Sequence, residues 1–176
     1  MSQSESSIQL VSHSVQQTVA IASTVGGFTR AGDLIGLIGE LGAGKTQFVR
    51  GLAQGMGIAS RKVSSPTFVF LQEYYADEDD PDTRVLAHID AYRLEGGADL
   101  PSIGWEGHGE ELRDGAVLAV EWADRISDAM GSDWLKVSLE HADAGRIITL
   151  SPQGQWHDRM ADLQQHLDQL AEQDKV

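Results

Sequence analysis

One stretch, Leu34-Ile35-Gly36-Leu37-Ile38 followed by Gly39-Glu40-Leu41-Gly42-Ala43-Gly44-Lys45-Thr46-Gln47-Phe48, leaves few folds open. The apolar run reads as a buried strand, and Phe48, Leu52 and Met56 then recur at helical spacing, with Gly57 as the stop. Gly39, Gly44, Lys45 and Thr46 match G-x-x-x-x-G-K-[ST], in which a glycine-rich turn points successive backbone N–H groups at phosphate oxygens. The helix that follows adds its positive N-terminal end. Residues Gly39, Glu40, Leu41, Gly42, Ala43, Gly44, Lys45, Thr46 and Gln47 are therefore expected to bind a nucleotide, with Lys45 on the β- and γ-phosphates and the Thr46 hydroxyl on Mg²⁺.

Around this unit the chain alternates strands and helices. Short strands are expected at residues 8–11, 68–75, 84–91 and 116–122. Ser14 with Gln17 forms a capping box, after which Val15, Val19, Ala22 and Val25 follow at helical spacing. Two further β-rich segments, 135–139 and 147–150, are expected to close the sheet. In residues 152–176, Trp156, Met160, Leu163, Leu167 and Leu170 are spaced for an amphipathic C-terminal helix. The expected fold is α/β: a P-loop NTPase-like three-layer α/β/α domain over residues 1–176, with a mixed, partly antiparallel sheet. A chain of 176 residues is long enough to bury a real core as one domain.

Charge restricts the partners. Thirteen basic against 27 acidic residues give −14, and the only adjacent basic pair is Arg61-Lys62. Nucleic-acid binders concentrate positive charge, so autonomous binding of DNA or RNA is not expected, whereas contact through a partner protein stays open. The apolar runs are too short to span a bilayer, and residues 1–9 carry no basic start or apolar stretch of a signal peptide. A cytoplasmic protein without a membrane role is the expectation. With no cysteine, disulfides and thiolate chemistry are excluded. The run Asp77-Glu78-Asp79-Asp80-Pro81-Asp82 reads as a solvated hairpin loop rather than a cation site.

A P-loop enzyme also needs a carboxylate at a strand end. Val117-Leu118-Ala119-Val120 ends in Glu121, and Leu86-Ala87-His88-Ile89 ends in Asp90. One can hold Mg²⁺ while the other orients the attacking water or shares the metal's outer shell. The six histidines show no metal-ligand spacing, and His88 reads as a strand residue. Ser64-Ser65-Pro66-Thr67 is by composition a turn, although hydroxyls there could sense a γ-phosphate as switch loops do. The absence of Asn excludes an Asn-Lys-x-Asp guanine-reading motif, and the dispersed arginines Arg84, Arg93, Arg113 and Arg125 do not suggest a kinase lid. The residues alone stop at a small Mg-ATP-binding domain. A stand-alone small-molecule kinase and a non-catalytic nucleotide-sensing module remain alternatives.

Four segments in order, GELGAGKT at 39–46, SSPTF at 64–68, HIDAYRL at 88–94 and VEW at 120–122, resemble the bacterial tRNA threonylcarbamoyladenosine biosynthesis ATPases TsaE, the YjeE family. Thr18 and the GW-E pattern at 104–106 fit as well, and the resemblance covers roughly residues 8–151. It implies an ATPase that binds ATP or ADP with Mg²⁺ and resets the TsaD–TsaB complex between turnovers, without itself transferring threonylcarbamoyl. Contact with tRNA would be indirect, through that complex. Carried onto this chain, Lys45 contacts phosphate, Thr46 and Glu121 hold Mg²⁺, and Asp90 aids catalysis. Ser65, Pro66 and Thr67 become a switch candidate. Trp122 packs either near the nucleotide or in the core, and residues 15–18 lie toward the adenine. Where the family often reads GDLGAGKTT or GDLGAGKTS, this chain has Glu40 and Gln47. Gln47 replaces a hydroxyl by an amide that can still donate to the α-phosphate.

Overall fold

The structure, a computed structural model, describes residues 7–66, 71–103 and 115–173. Its strands are β1 (Ile8–Ser12), β2 (Leu34–Ile38), β3 (Leu71–Tyr75), β4 (Val85–Asp90), β5 (Ala116–Glu121), β6 (Leu135–Ala142) and β7 (Gly145–Pro152). They form one sheet in the order β1-β7-β6-β2-β5-β4-β3. The four central strands, β6, β2, β5 and β4, run parallel, whereas β1, β7 and β3 each pair antiparallel. The sheet is mixed, as the sequence predicts. The chain forms a P-loop-like α/β fold.

Both faces of the central strands are covered, which is why β5 reads as a near-continuous apolar run. On one face, helices α1 (Val15–Gly27), α2 (Lys45–Gly55) and α3 (Met160–Gln173) bury Val25, Phe48, Leu52 and Leu163 against Ile35, Leu37 and Ala119. On the other, the 3-10 segments Gly97–Ile103 and Ala123–Ala129 supply Leu100 and Ile126 to a second core with Leu118 and Val120. Among the described residues this third layer is thus 3-10 rather than α-helical, with Pro101 inside the first segment.

Local chemistry explains most element ends. The Ser14 hydroxyl accepts from Gln17 N–H at 3.1 Å, while the Gln17 side chain reaches back to accept from His13 N–H at 2.7 Å, a reciprocal cap that starts α1. Val15, placed by its spacing on the buried stripe, is instead exposed at the first turn, and the buried face runs through Thr18, Ile21, Ala22 and Val25. Residues 135–139 and 147–150 do form strands, but they do not close the sheet. A two-residue hairpin folds β7 back on β6, and β1 then takes the edge beyond β7. The acidic run 77–82 is the exposed loop of the β3–β4 hairpin, held by the Asp77 and Asp80 carboxylates accepting from Asp79 and Asp82 N–H. Residues 68–70 of the expected third strand and the GW-E segment lie outside the described residues. The tail begins as a 3-10 turn, Gly154–Arg159, which buries Trp156 before α3 starts.

Candidate functional site

In a parallel sheet the carboxyl ends of the strands open toward the same edge, and ligand crevices form there. Here β2 ends in the glycine-rich turn, β4 in Asp90 and β5 in Glu121. Asp90 and Glu121 are paired across the β4–β5 ladder, and Leu37 of β2 pairs with Glu121 from the other side. Three segments far apart in sequence therefore deliver their functional groups to one spot by register alone.

The turn is shaped by two glycines. Gly44 sits at φ +107°, a conformation that strains any residue with a Cβ. Gly39 has a different reason: a Cβ there would lie 2.5 Å from the Leu139 carbonyl oxygen of β6. The turn thereby stays against the sheet, and α2 starts at Lys45 with its unsatisfied N–H groups facing the crevice. Lys45 is buried, and Nζ donates to the Gly39 and Glu40 carbonyls at 2.7 and 2.8 Å. It also lies 3.7 Å from the centroid of the Trp122 ring. Burial pushes its pKa below the ordinary 10.5, opposed by the negative charges of Glu121, Asp124 and Asp90.

The Thr46 hydroxyl donates to Glu121 Oε1 at 2.8 Å. The same oxygen lies 2.9 Å from His88 Nε2, and since a carboxylate only accepts, the ring nitrogen carries the hydrogen. His88 is fully buried, and among the described residues its Nδ1 has no hydrogen-bond partner, so its polar contact there is Glu121. Asp90 is 7% exposed and Oδ1 accepts from Tyr92 N–H at 2.9 Å, which fixes the carboxylate at the strand tip. Trp122 holds φ 60° and ψ 40°, the only non-glycine positive φ among the described residues. Such strain persists only where surroundings over-determine it, here Lys45 above the ring and Tyr92 at 5.0 Å beside it.

Together these groups line a cleft of about 730 Å³, in the size range of small-molecule sites. Leu41, Gly42, Ala43, Gly44, Lys45, Thr46 and Gln47 line it, joined by Asp90, Glu121, Trp122 and Ser65. Gly39 and Glu40 shape the turn beneath, through the carbonyls that Lys45 holds. Pro66 is buried just beyond Ser65 and does not line the cleft. Thr67 lies outside the described residues. Val15 and Thr18 also line it, with Ser12 and His13. Trp122 lines the cleft and also packs against the second core, the latter one of its two expected places.

The donor set suits a hard cation. No cluster of three or more His, Asp or Glu capable of holding a metal exists among the described residues. A hydroxyl and a carboxylate meeting at 2.8 Å, with phosphate oxygens and water completing the shell, is how Mg²⁺ is commonly bound.

Two contributors escape the sequence reading. His88 stands two residues before Asp90, so both project to the same face of β4, and that alternation was a usable signal. Arg146 of β7 donates from Nε to Ala43 O and from Nη2 to Gly42 O, each at 3.1 Å. No motif marks it. Gln47 accepts from Arg50 Nη1 at 3.3 Å, and Arg50 Nε donates to Val63 O, tying the loop's unusual residue toward the Ser64–Ser65 segment.

Comparison with known proteins gives the family of the chain. A family profile described as "Threonylcarbamoyl adenosine biosynthesis protein TsaE" matches residues 12–148. The tRNA threonylcarbamoyladenosine biosynthesis protein TsaE of Bacillus subtilis is 34% identical over 148 residues, covering 84% of this chain and 87% of the relative. That of Streptomyces coelicolor is 38% identical over 132 residues, 72% and 84% of the two chains. The crystal structure of Bacillus subtilis YdiB superimposes with a TM-score of 0.72 at 28% identity, covering 94% of this chain and 99% of that one. No helix among the described residues is long and apolar enough to cross a membrane. With most of its length matched by the profile and by relatives above 30% identity, the chain belongs to the TsaE family of tRNA threonylcarbamoyladenosine biosynthesis proteins.

Proposed function

We propose that this protein is a Mg²⁺-dependent ATPase that supports tRNA threonylcarbamoyladenosine modification by acting on a TsaD–TsaB complex, rather than by transferring the threonylcarbamoyl group. The observation that carries the reading is the Thr46–Glu121 contact at 2.8 Å, with Asp90 paired beside Glu121, at the mouth of the phosphate loop. A module that merely bound nucleotide would need the loop but not two carboxylates at adjacent strand tips.

In this mechanism the loop N–H groups and the α2 N-terminus take the phosphates, and Lys45 moves from the Gly39 and Glu40 carbonyls toward the β- and γ-oxygens. Thr46 and Glu121 would hold Mg²⁺, which when bound neutralises charge on the phosphate oxygens. His88 keeps Glu121 oriented from behind. Asp90 holds the attacking water in line with the γ-phosphate; positioning and electrostatic stabilisation together supply almost all of the catalysis in phosphoryl transfer. The cleft is open, and its rim carries three of the exposed large apolar side chains: Leu41 at 84%, Val15 at 54% and Tyr92 at 49%. A partner covering that rim would exclude water and complete the site, which makes turnover partner-dependent. Net charge of −14 supports a protein partner in preference to direct binding of tRNA.

The test is ATP hydrolysis by the purified protein with and without a TsaD–TsaB pair. Slow turnover alone and faster turnover with the pair is the expected result. A phosphorylated metabolite would favour a kinase, and ATP binding without hydrolysis in either condition would leave a non-catalytic module.

A further inference from the structure

Every peptide carbonyl of the loop from Gly39 to Ala43 except that of Leu41 has a donor that can be named. Lys45 takes Gly39 and Glu40, Ala43 N–H also reaches Glu40, and Arg146 takes Gly42 and Ala43. The third donor of Arg146, Nη1, returns to its own neighbour Gly145 at 2.8 Å, so the Nε–Nη2 edge of the guanidinium faces the loop. Gly145 is itself pinned: a Cβ there would lie 2.0 Å from the Ser12 carbonyl oxygen of β1. Arg146 thus projects from a fixed point of the sheet onto a turn whose Gly42 is solvent-exposed and whose Ala43 is buried, and one guanidinium serves both carbonyls.

We infer that Arg146 is a positioning residue for polyphosphate binding: braced by the Gly42 carbonyl, it grips the Ala43 carbonyl and so aims the Gly44 N–H at the ligand. In a trans peptide the carbonyl and the following N–H point in opposite directions, and none of the described peptide bonds is cis. Drawing the Ala43 carbonyl toward Nε therefore turns the Gly44 N–H away from the guanidinium, toward the phosphates. A lysine could supply the charge but not two parallel donors in a fixed fork. The inference rests on the nucleotide reading above and concerns how the chain achieves it.

The test is calorimetric titration of the full-length wild type, Arg146→Lys and Arg146→Met with ATP, ADP and AMP, alongside thermal unfolding. The expected result is a rise in Kd of about tenfold or more for ATP and ADP in both variants, the scale of losing charge-assisted hydrogen bonds, with AMP less affected. Wild-type affinity in Arg146→Met would overturn the inference. Wild-type affinity in Arg146→Lys would reduce the residue to a charge and overturn its positioning role. Amide exchange of residues 42–46 without nucleotide tests the same point independently: Arg146→Lys, at unchanged melting temperature, should exchange faster there, and unchanged exchange counts against the inference. Should the wild type bind no nucleotide, the functional reading fails while the exchange result still decides the loop.

Discussion

Thr46 and Glu121, 75 residues apart, meet hydroxyl to carboxylate at 2.8 Å on the α-helical side of the sheet. The contact brings the Glu121 carboxylate onto the phosphate loop, beside the hydroxyl proposed to hold Mg²⁺ with it. Glu121→Gln keeps the shape and the hydrogen bond while removing the charge. ATPase activity with partners present should fall by roughly 100-fold or more, as for the loss of one charge-stabilising group, while ADP binding in the absence of metal stays near wild type. Steady-state hydrolysis and a metal-free titration check the two halves, and undiminished turnover would remove Glu121 from the site.

His88 acts one step further out. Its Nε2 lies on the same Glu121 oxygen, and partners of this kind typically alter metal affinity by about 10- to 100-fold when removed. Glutamine can place a nitrogen donor where Nε2 stood, whereas asparagine reaches only the Nδ1 position. His88→Gln should therefore retain Mn²⁺ affinity, read by electron paramagnetic resonance in the presence of ADP, and His88→Asn should lose it. Equal affinities in the two variants would make His88 a packing residue.

Much of this site was legible in the chain because its parts are local. The strand, glycine turn and helix of residues 34–55 are contiguous, and each acid follows its own apolar run. Register, which brings Asp90 and Glu121 together, follows from parallel pairing of β4 and β5 and has no local signature. The Ser14 cap was visible, but the direction of Val15 was not, because a first-turn residue can face a cleft as easily as a core. Arg146 was invisible for a related reason. It acts only because the β6–β7 hairpin folds back beside the loop, and nothing in Gly145-Arg146-Ile147 announces that.

The C-terminal segment has a structural role that can be separated from the site. Arg159 is buried and grips Asp33, Nη1 to Oδ2 at 2.6 Å and Nη2 to Oδ1 at 2.7 Å, while Nη1 also donates to Phe28 O. Its guanidinium stacks 3.9 Å above the Trp156 ring. This clasp joins the turn before β2 to the tail. Asp33→Ala leaves a buried guanidinium unpaired and should destabilise the fold by about 3–5 kcal/mol, seen as a lower denaturation midpoint. Nucleotide affinity of the folded fraction should not change, because Asp33 stands at the opposite end of β2 from the loop.

Lys45 gives the site a pH dependence with opposite signs for stability and binding. Burial holds its pKa in the free protein below 10.5, so in the window between that lowered value and 10.5 the unfolded chain binds the proton and the folded one does not. The Lys45 contribution to stability therefore rises with pH across that window and is unfavourable below it. Bound phosphate reverses the balance by favouring the ammonium. Affinity for ADP is fully present below the free-protein pKa of Lys45 and falls as pH rises through it, by up to tenfold per pH unit until the bound-state pKa is reached. Titrations in chelator, so that no metal contributes, should show this decline together with proton uptake on binding. Lys45→Met should bind weakly with no such dependence, and an identical pH profile in that variant would show that Lys45 is not the group responsible.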